Sequence, residues 1–226
     1  KRQQQVPDLI DEARNQPGQY TALSLERTAG NLESIKRSHE TFDPMRDPTM
    51  RPTPFQAYLR IQIGCDNTCA FCIVPAVRGP EISRPFGELV DEAHDLAADG
   101  VSEITLLGQN VNSYGRDLAL ARRALDISEG DADEGDAFWC GDRWATDRRA
   151  RPLFGDLLRD IGAIEGVHRI RYTSPHPKDM RTETFEAMAV TPEVCEHLHF
   201  PLQAGSDRVL KLMHRGYTSE RFLEKL

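Results

Sequence analysis

Beyond residue 54 the hydrophobic positions of the chain switch regularly between two periods. Ala57, Leu59, Ile61 and Ile63 alternate with Tyr58, Arg60 and Gln62, the pattern of a strand half buried in a sheet. Phe86, Leu89, Val90, Ala93, Leu96 and Ala97 then recur at helical spacing, with Pro85 at the start and Gly100 at the stop. Ile104 to Leu107 reads as a second strand. Leu153, Leu157, Leu158 and Ile161 mark a second helix closed by Gly166, and Arg169 to Tyr172 a third strand. A weaker helical pattern covers Thr182 to Val190, and a fourth strand is expected near Leu198-His199-Phe200. Helical stretches follow over Ser206 to Met213 and Ser219 to Leu226.

Strand–helix alternation of this kind predicts the α/β class, a parallel sheet with right-handed crossovers. In such sheets, and in barrels especially, chemistry gathers where the strands' C-terminal ends meet their loops. Four strand ends here carry polar or glycine-containing words: Gly64-Cys65, Gly108-Gln109-Asn110, Ser174-Pro175-His176-Pro177 and Pro201-Leu202-Gln203. Gln109, Asn110 and Asn112 can bind a cofactor's polar groups or simply build a turn. Ser174 and His176 have a similar claim, although His176 between two prolines can equally brace a rigid loop. Glu81, Ser83 and Arg84 are close enough in sequence to reach a ligand, with a helix-capping role for Ser83 as the alternative. Gln203, Gly205 and Ser206 open the last helices, where backbone amides can face an anion.

Two stretches break the pattern. Residues 7–16 carry a short amphipathic motif with Leu9, Ile10 and Ala13 on one face, but Arg37 to Pro54 holds Pro44, Pro48, Pro52 and Pro54 among charges, which is linker chemistry. The first fifty or so residues hold too little apolar material to fold alone, and a disordered leader is an alternative reading. Between Arg116 and Arg151 a long unpatterned insertion contains an acidic run, Glu129 to Asp136, and both tryptophans, Trp139 and Trp144. It reads as an insertion pinned to the domain surface by its aromatics, or as an aromatic finger whose Arg148, Arg149 and Arg151 meet nucleic-acid phosphates.

The chemistry sits in Gly64-Cys65-Asp66-Asn67-Thr68-Cys69-Ala70-Phe71-Cys72, directly after the first strand. Three cysteines at Cys-x3-Cys-x2-Cys crowd three thiols onto one loop, for which a packed core has no use. Soft thiolates suit iron–sulfur clusters or zinc. A structural zinc site wants four ligands, and Cys140 and Cys195 stand alone and far away. Three thiolates on a four-iron cube leave one iron open to a small molecule. A redox pair of Cys69 and Cys72 is the remaining alternative, and Cys140 and Cys195 read as ordinary thiols.

This loop, with Phe71 before its last cysteine, resembles the signature of radical S-adenosylmethionine enzymes. Cys72-Ile73-Val74-Pro75, Arg78-Gly79, Ser83-Arg84-Pro85, Leu106 through Gly115 and Gln203-Ala204-Gly205-Ser206 further resemble the methylthiotransferases. Within these, the branch that thiomethylates isopentenyladenosine beside the tRNA anticodon is the most similar. The resemblance covers Phe55 to the end apart from the insertion. It implies a [4Fe-4S] cluster on Cys65, Cys69 and Cys72, whose open iron is chelated by S-adenosylmethionine. It further implies one-electron cleavage to a 5′-deoxyadenosyl radical, hydrogen abstraction from adenine C2 and installation of a methylthio group. Phe71, Gly108, Gln109, Asn110, Ser174, Gln203 and Ser206 are the cofactor-binding positions it suggests.

The resemblance also implies an open, partial TIM-type parallel barrel cut off after about four βα units. Residues 1–54 would be the tail of an N-terminal methylthiotransferase domain plus a linker, and 55–226 the radical domain. A second cluster would lie in that N-terminal domain. Expected partners are tRNA and an electron donor such as a flavodoxin or ferredoxin, with the enzyme a monomer in the cytoplasm. Sister enzymes acting on threonylcarbamoyladenosine or on a ribosomal-protein aspartate share the cysteine word, and a non-catalytic zinc or iron–sulfur interaction module is the reading from another class.

Composition limits these readings without choosing among them. At 226 residues and 39% hydrophobic content the chain can bury one good core. A formal net charge of −8 argues against a generally basic nucleic-acid-binding surface but not against a local basic strip. No apolar run approaches the ~18 residues of a membrane span. Clustered thiols without a disulfide framework suit a reducing compartment. The start, Lys1-Arg2-Gln3-Gln4-Gln5, has no apolar h-region and reads like the middle of a longer protein.

Overall fold

The computed structural model describes residues 6–15, 48–51, 53–124, 139–141 and 151–226. The chain divides into two compact units, residues 1–43 and 44–226. In the first, the described element is helix α1, Val6–Asn15, which matches the expected amphipathic motif. Asp8 in its first turn and Arg14 in its last complement the helix dipole. Most of the expected linker lies outside the described residues. Its described part includes a single 3-10 turn, Pro48–Met50.

The second unit is built on a three-stranded parallel sheet in the order β1 (Gln56–Arg60), β4 (Glu103–Leu107), β5 (Arg169–Tyr172). Ala57, Ile104 and Ile170 share one register position and Leu59, Leu106 and Tyr172 another; all six are buried. That apolar face packs against helices α3 (Phe86–Ala98) and α5 (Phe154–Gly162), whose Leu89, Ala93, Leu157, Leu158 and Ile161 are fully covered. The opposite face is polar. Glu103 accepts from Gln56 (2.9 Å), Arg169 (2.9 Å) and Arg171 (3.2 Å), which closes a charged rung across all three strands. A parallel sheet ordinarily buries both faces, so helices on one side and charges on the other give this sheet an outer and an inner surface.

The expected strand 57–63 is broken. After Arg60 the chain bends, and the two-residue β2 (Gln62–Ile63) leaves the parallel sheet to pair antiparallel with β3 (Ile82–Ser83). This short ribbon is the neck of the cysteine loop. The expected fourth strand at 198–200 does not form; the neighbour of β5 is a single parallel bridge from Ile170 to Val194. Phe200 instead stacks on Phe222 with ring centroids 4.8 Å apart. It belongs to a second apolar cluster with Leu210 and Tyr217, which carries the C-terminal helices α7 (Asp207–Leu212) and α8 (Ser219–Leu223).

Two helices had no clear hydrophobic period. Helix α2, Val74–Arg78, buries none of its residues and is set by Pro75 in its first turn and Gly79 at its end. Helix α4, Arg116–Ala124, occupies the start of the stretch read as unpatterned. Helix α6, Thr182–Val190, falls where its pattern places it. In the insertion, Cys140 rather than Trp139 is buried against the core, while Trp139 is half exposed. Arg151 is ion-paired with Glu183 at 2.8 Å. The acidic run, Phe138, Trp144, Arg148 and Arg149 lie outside the described residues.

Candidate functional site

The cysteine loop leaves the sheet at Gly64, where only glycine fits. Its φ is +77°, and a Cβ there would stand 1.8 Å from the carbonyl oxygen of Pro80. The bend lets Cys65 N donate to Gly79 O at 3.1 Å, closing the loop on its own neck. Cys65 is buried, Cys69 half-buried and Cys72 exposed, all as free thiols. Burial pushes the Cys65 thiol up to about 11, with added contributions from Glu81, Cys69 and Cys72, against a backbone hydrogen bond from Asn67 that lowers it. Phe71 projects from the same loop, 95% exposed.

Beneath the loop lies a buried polar network that joins the ends of β4 and β5. Asn110, 1% exposed, donates to Glu81 (3.1 Å) and to Asp179 (2.8 Å). Arg116 donates to the other oxygen of Asp179 at 2.6 Å. Asn67 of the cysteine loop donates to Asp179 and accepts from Lys178. The two carboxyls are driven apart. Burial raises Glu81, and hydrogen bonds from Ser113 and Asn110 only partly offset this. Burial also raises Asp179, but the hydrogen bonds from Arg116 and Asn110 and the charges of Arg116 and Lys178 outweigh it and hold it below its ordinary value. Asn112 exchanges two hydrogen bonds with the backbone of His176, at 2.8 and 3.0 Å, and so fixes the loop after β5 on the end of β4.

The structure sorts the expected site residues into several roles. Gly108 allows close approach: a Cβ there would stand 2.9 Å from Gln62 Cγ. Gln109 Oε1, Asn110 Oδ1 and Gln62 Oε1 are buried acceptors without a protein partner. Ser174 and Gln203 are exposed and hold left-handed backbone, φ 60° and 71°. A non-glycine residue seldom accepts that conformation, and such strain clusters at functional sites. Ser206 starts α7 without a side-chain cap. Ser83 does not cap α3. Its hydroxyl accepts from Gly115 N at 2.9 Å, and its neighbour Arg84 is buried against Arg60 O and Glu92. Both are structural.

His176, a candidate from the sequence, and His214 and Arg215, which sequence reasoning passed over, complete the loop's surroundings. His176 Nδ1 accepts from Lys178 N, so the neutral ring carries its proton on Nε2, which lies 4.0 Å from Cys69 Sγ. Burial, countered in part by Asp179, pulls His176 down to about 4, so it is neutral near pH 7. From the C-terminal side, the turn after α7 touches three consecutive loop residues, Thr68, Cys69 and Ala70. The Arg-Gly word at 215–216 was the available signal, but a lone Arg-Gly carries no chemistry by itself. Among the described residues no three His, Cys, Asp or Glu side chains converge on one metal-ion position. No helix among them is long and apolar enough to cross a membrane.

A family model, the Radical SAM superfamily, matches residues 59–226. The chain is similar to tRNA-2-methylthio-N(6)-dimethylallyladenosine synthase of Rhodopirellula baltica, with 44% identity over 219 residues, 97% of this chain and 40% of that protein. It is 44% identical to the synthase of the same name from Saccharopolyspora erythraea over 89% of this chain and 35% of that protein. For that of Streptomyces griseus the figures are 46%, 84% and 31%. The chain thus spans two fifths or less of the length of these curated relatives.

Proposed function

This chain belongs to the Radical SAM superfamily, and on that premise we propose that it is the radical-generating part of a tRNA methylthiotransferase. The substrate would be N6-isopentenyladenosine next to the anticodon, and the product its 2-methylthio form. The observation that carries this reading is the three-thiol loop at the strand ends, within a chain 44% identical to enzymes named for that product. The donor set fits a [4Fe-4S] cluster. Three soft ligands sit on one loop, and the cationic Arg215 faces one of the sulfurs. When bound, the cluster supplies one electron to the sulfonium of S-adenosylmethionine and so releases the 5′-deoxyadenosyl radical.

The protein's own residues do the positioning. Cys65, Cys69 and Cys72 would hold three irons and leave the fourth for the amino and carboxylate groups of the cofactor. Gly108 lets Gln62 and Val111 pack close to the end of β4, and the buried acceptors Gln109 Oε1 and Asn110 Oδ1 stand ready for donors such as an ammonium or a ribose hydroxyl. Phe71 offers an apolar face for the adenine, with Ser174, Gln203 and Ser206 at the rim. The parallel sheet, with helices on one face and the charged rung on the other, supports an open barrel whose inner wall carries Glu103, Arg169 and Arg171. Residues 1–54 would link this domain to one supplying the sulfur, and 55–226 would form the radical domain. Cys140 and Cys195 offer no second three-thiol loop.

Nuclease digestion of tRNA after incubation with the full-length protein, reductant and S-adenosylmethionine tests the reading by mass spectrometry. The expected product is 2-methylthio-isopentenyladenosine. A methylthio group on threonylcarbamoyladenosine or on a ribosomal-protein aspartate instead would move the protein to a sister branch.

A further inference from the structure

Helix α7 ends in a way that its sequence does not require. His214 N donates to Lys211 O (3.1 Å) and Arg215 N to Leu210 O (3.0 Å), the paired bonds of a helix stop whose left-handed residue is ordinarily glycine. Here that residue is His214, at φ 56°, although Gly216 follows only two positions later. The strained turn has a use. Met213 O accepts from Ala70 N at 3.1 Å, and His214 Nδ1 lies 3.2 Å from Thr68 O, so that nitrogen carries the proton. Between them Arg215 Nη1 donates to Cys69 Sγ at 3.6 Å.

The surroundings of Arg215 are unusual for a half-buried guanidinium. Its Nε is buried with no partner, and no carboxylate among the described residues forms an ion pair with it. Its side chain donates to sulfur. The Nε2–H of His176 lies 4.0 Å from the same sulfur. Among the described residues Cys65 receives a backbone N–H, from Asn67, but neither it nor Cys72 has a side-chain donor of this kind. A neutral thiol is a poor acceptor and does not balance a cation, whereas a thiolate ligand does both. Arg215 is thus placed for Cys69 in its ligating form.

We infer that Arg215 is a positioning residue that makes the Cys69-ligated cluster easier to reduce. This rests on the cluster assignment above. Adding one electron from an external low-potential reductant leaves every bond in place and adds one negative charge to the thiolate-ligated core. A cation donating to a ligand sulfur stabilises the more negative state and raises the potential. The turn holds that cation in register by gripping the residues on either side of Cys69.

Anaerobic redox titration of the reconstituted full-length protein, followed by electron paramagnetic resonance of the reduced cluster, tests this. Arg215→Gln should keep its iron yet show about a tenfold or greater fall in the ratio of reduced to oxidised cluster at the poise that half-reduces the parent. Arg215→Lys, which keeps the charge, should recover most of that loss. Unchanged potentials in an iron-replete Arg215→Gln protein would overturn the inference, as would loss of iron from both variants, which would make Arg215 a folding residue. Parent protein that binds no iron would overturn the cluster assignment itself, a result distinct from either.

Discussion

Asn110 donates its side-chain amide to Asp179 at 2.8 Å across 69 positions of sequence, tying the end of β4 to the loop after β5. The same nitrogen donates to Glu81 at 3.1 Å, so one buried amide separates two carboxyls. Asn110→Ala should lower stability by about 1–3 kcal/mol, the cost of leaving buried polar groups unsatisfied. Asn110→Asp should cost more, because it sets a third carboxyl against the other two. Urea unfolding measures both, with the midpoint moving and the slope unchanged. An Asn110→Asp protein as stable as the parent would show that this network does not hold the strand ends together.

Asp179 predicts a pH dependence with a definite sign. Burial favours its neutral form, yet Arg116, Asn110 and Lys178 together hold its carboxyl below the ordinary value. A folded pKa under the unfolded one contributes stability that is complete above the unfolded value of ~3.9 and is lost as pH falls through the folded one. Asp179→Asn should therefore flatten the acid limb of stability against pH below roughly pH 5. Arg116→Met should cost about 2–3 kcal/mol, under the ~3–5 of a fully buried pair, because Arg116 is 27% exposed. An acid limb as steep in Asp179→Asn as in the parent would assign it to other groups.

Iron content separates ligands from bystanders. Replacing Cys65, Cys69 or Cys72 with Ala should abolish the binding of about four irons in the anaerobically reconstituted protein. Cys140→Ala and Cys195→Ala should leave it intact. Cys140 is buried in the apolar core and Cys195 lies beyond β5, so neither reaches the loop. Equal loss in all five variants, or stoichiometric zinc in place of iron, would contradict the assignment.

Gly64 tests the neck of the loop. In Gly64→Ala the new Cβ meets a backbone oxygen that cannot turn aside, at a φ of +77° where an L-residue is already strained by about 1–2 kcal/mol. Most of the iron should be lost while far-UV circular dichroism retains α3 and α5, which are held by the apolar face of the sheet. Full iron occupancy in this variant would mean that the close approach to Pro80 is dispensable.

Much of this was legible in sequence because it is local. Pro85 and Gly100 bracket α3, the three cysteines fall within one stretch from Cys65 to Cys72, and Arg169 to Tyr172 alternates as a strand does. What could not be read is what depends on distant partners. The 198–200 run looks like a strand, but Phe200 finds its burial against Phe222 rather than in the sheet. The run from Ala57 to Ile63 is continuous in pattern and broken in space, because β3 captures β2. Ser83 and Arg84 look like helix-start or ligand residues, yet Gly115 and Glu92 claim them. Arg215 meets Cys69 across 146 positions, a contact that no spacing rule could anticipate.

On the function proposed above, the radical generated at this loop acts on adenine C2 in tRNA. The most direct test gives the full-length protein tRNA carrying deuterium at that carbon, with reductant and S-adenosylmethionine, and weighs the 5′-deoxyadenosine released. Deuterium in the 5′-deoxyadenosine, in proportion to the 2-methylthio nucleoside formed, is the predicted result. Methylthio product accompanied by 5′-deoxyadenosine free of deuterium would contradict it.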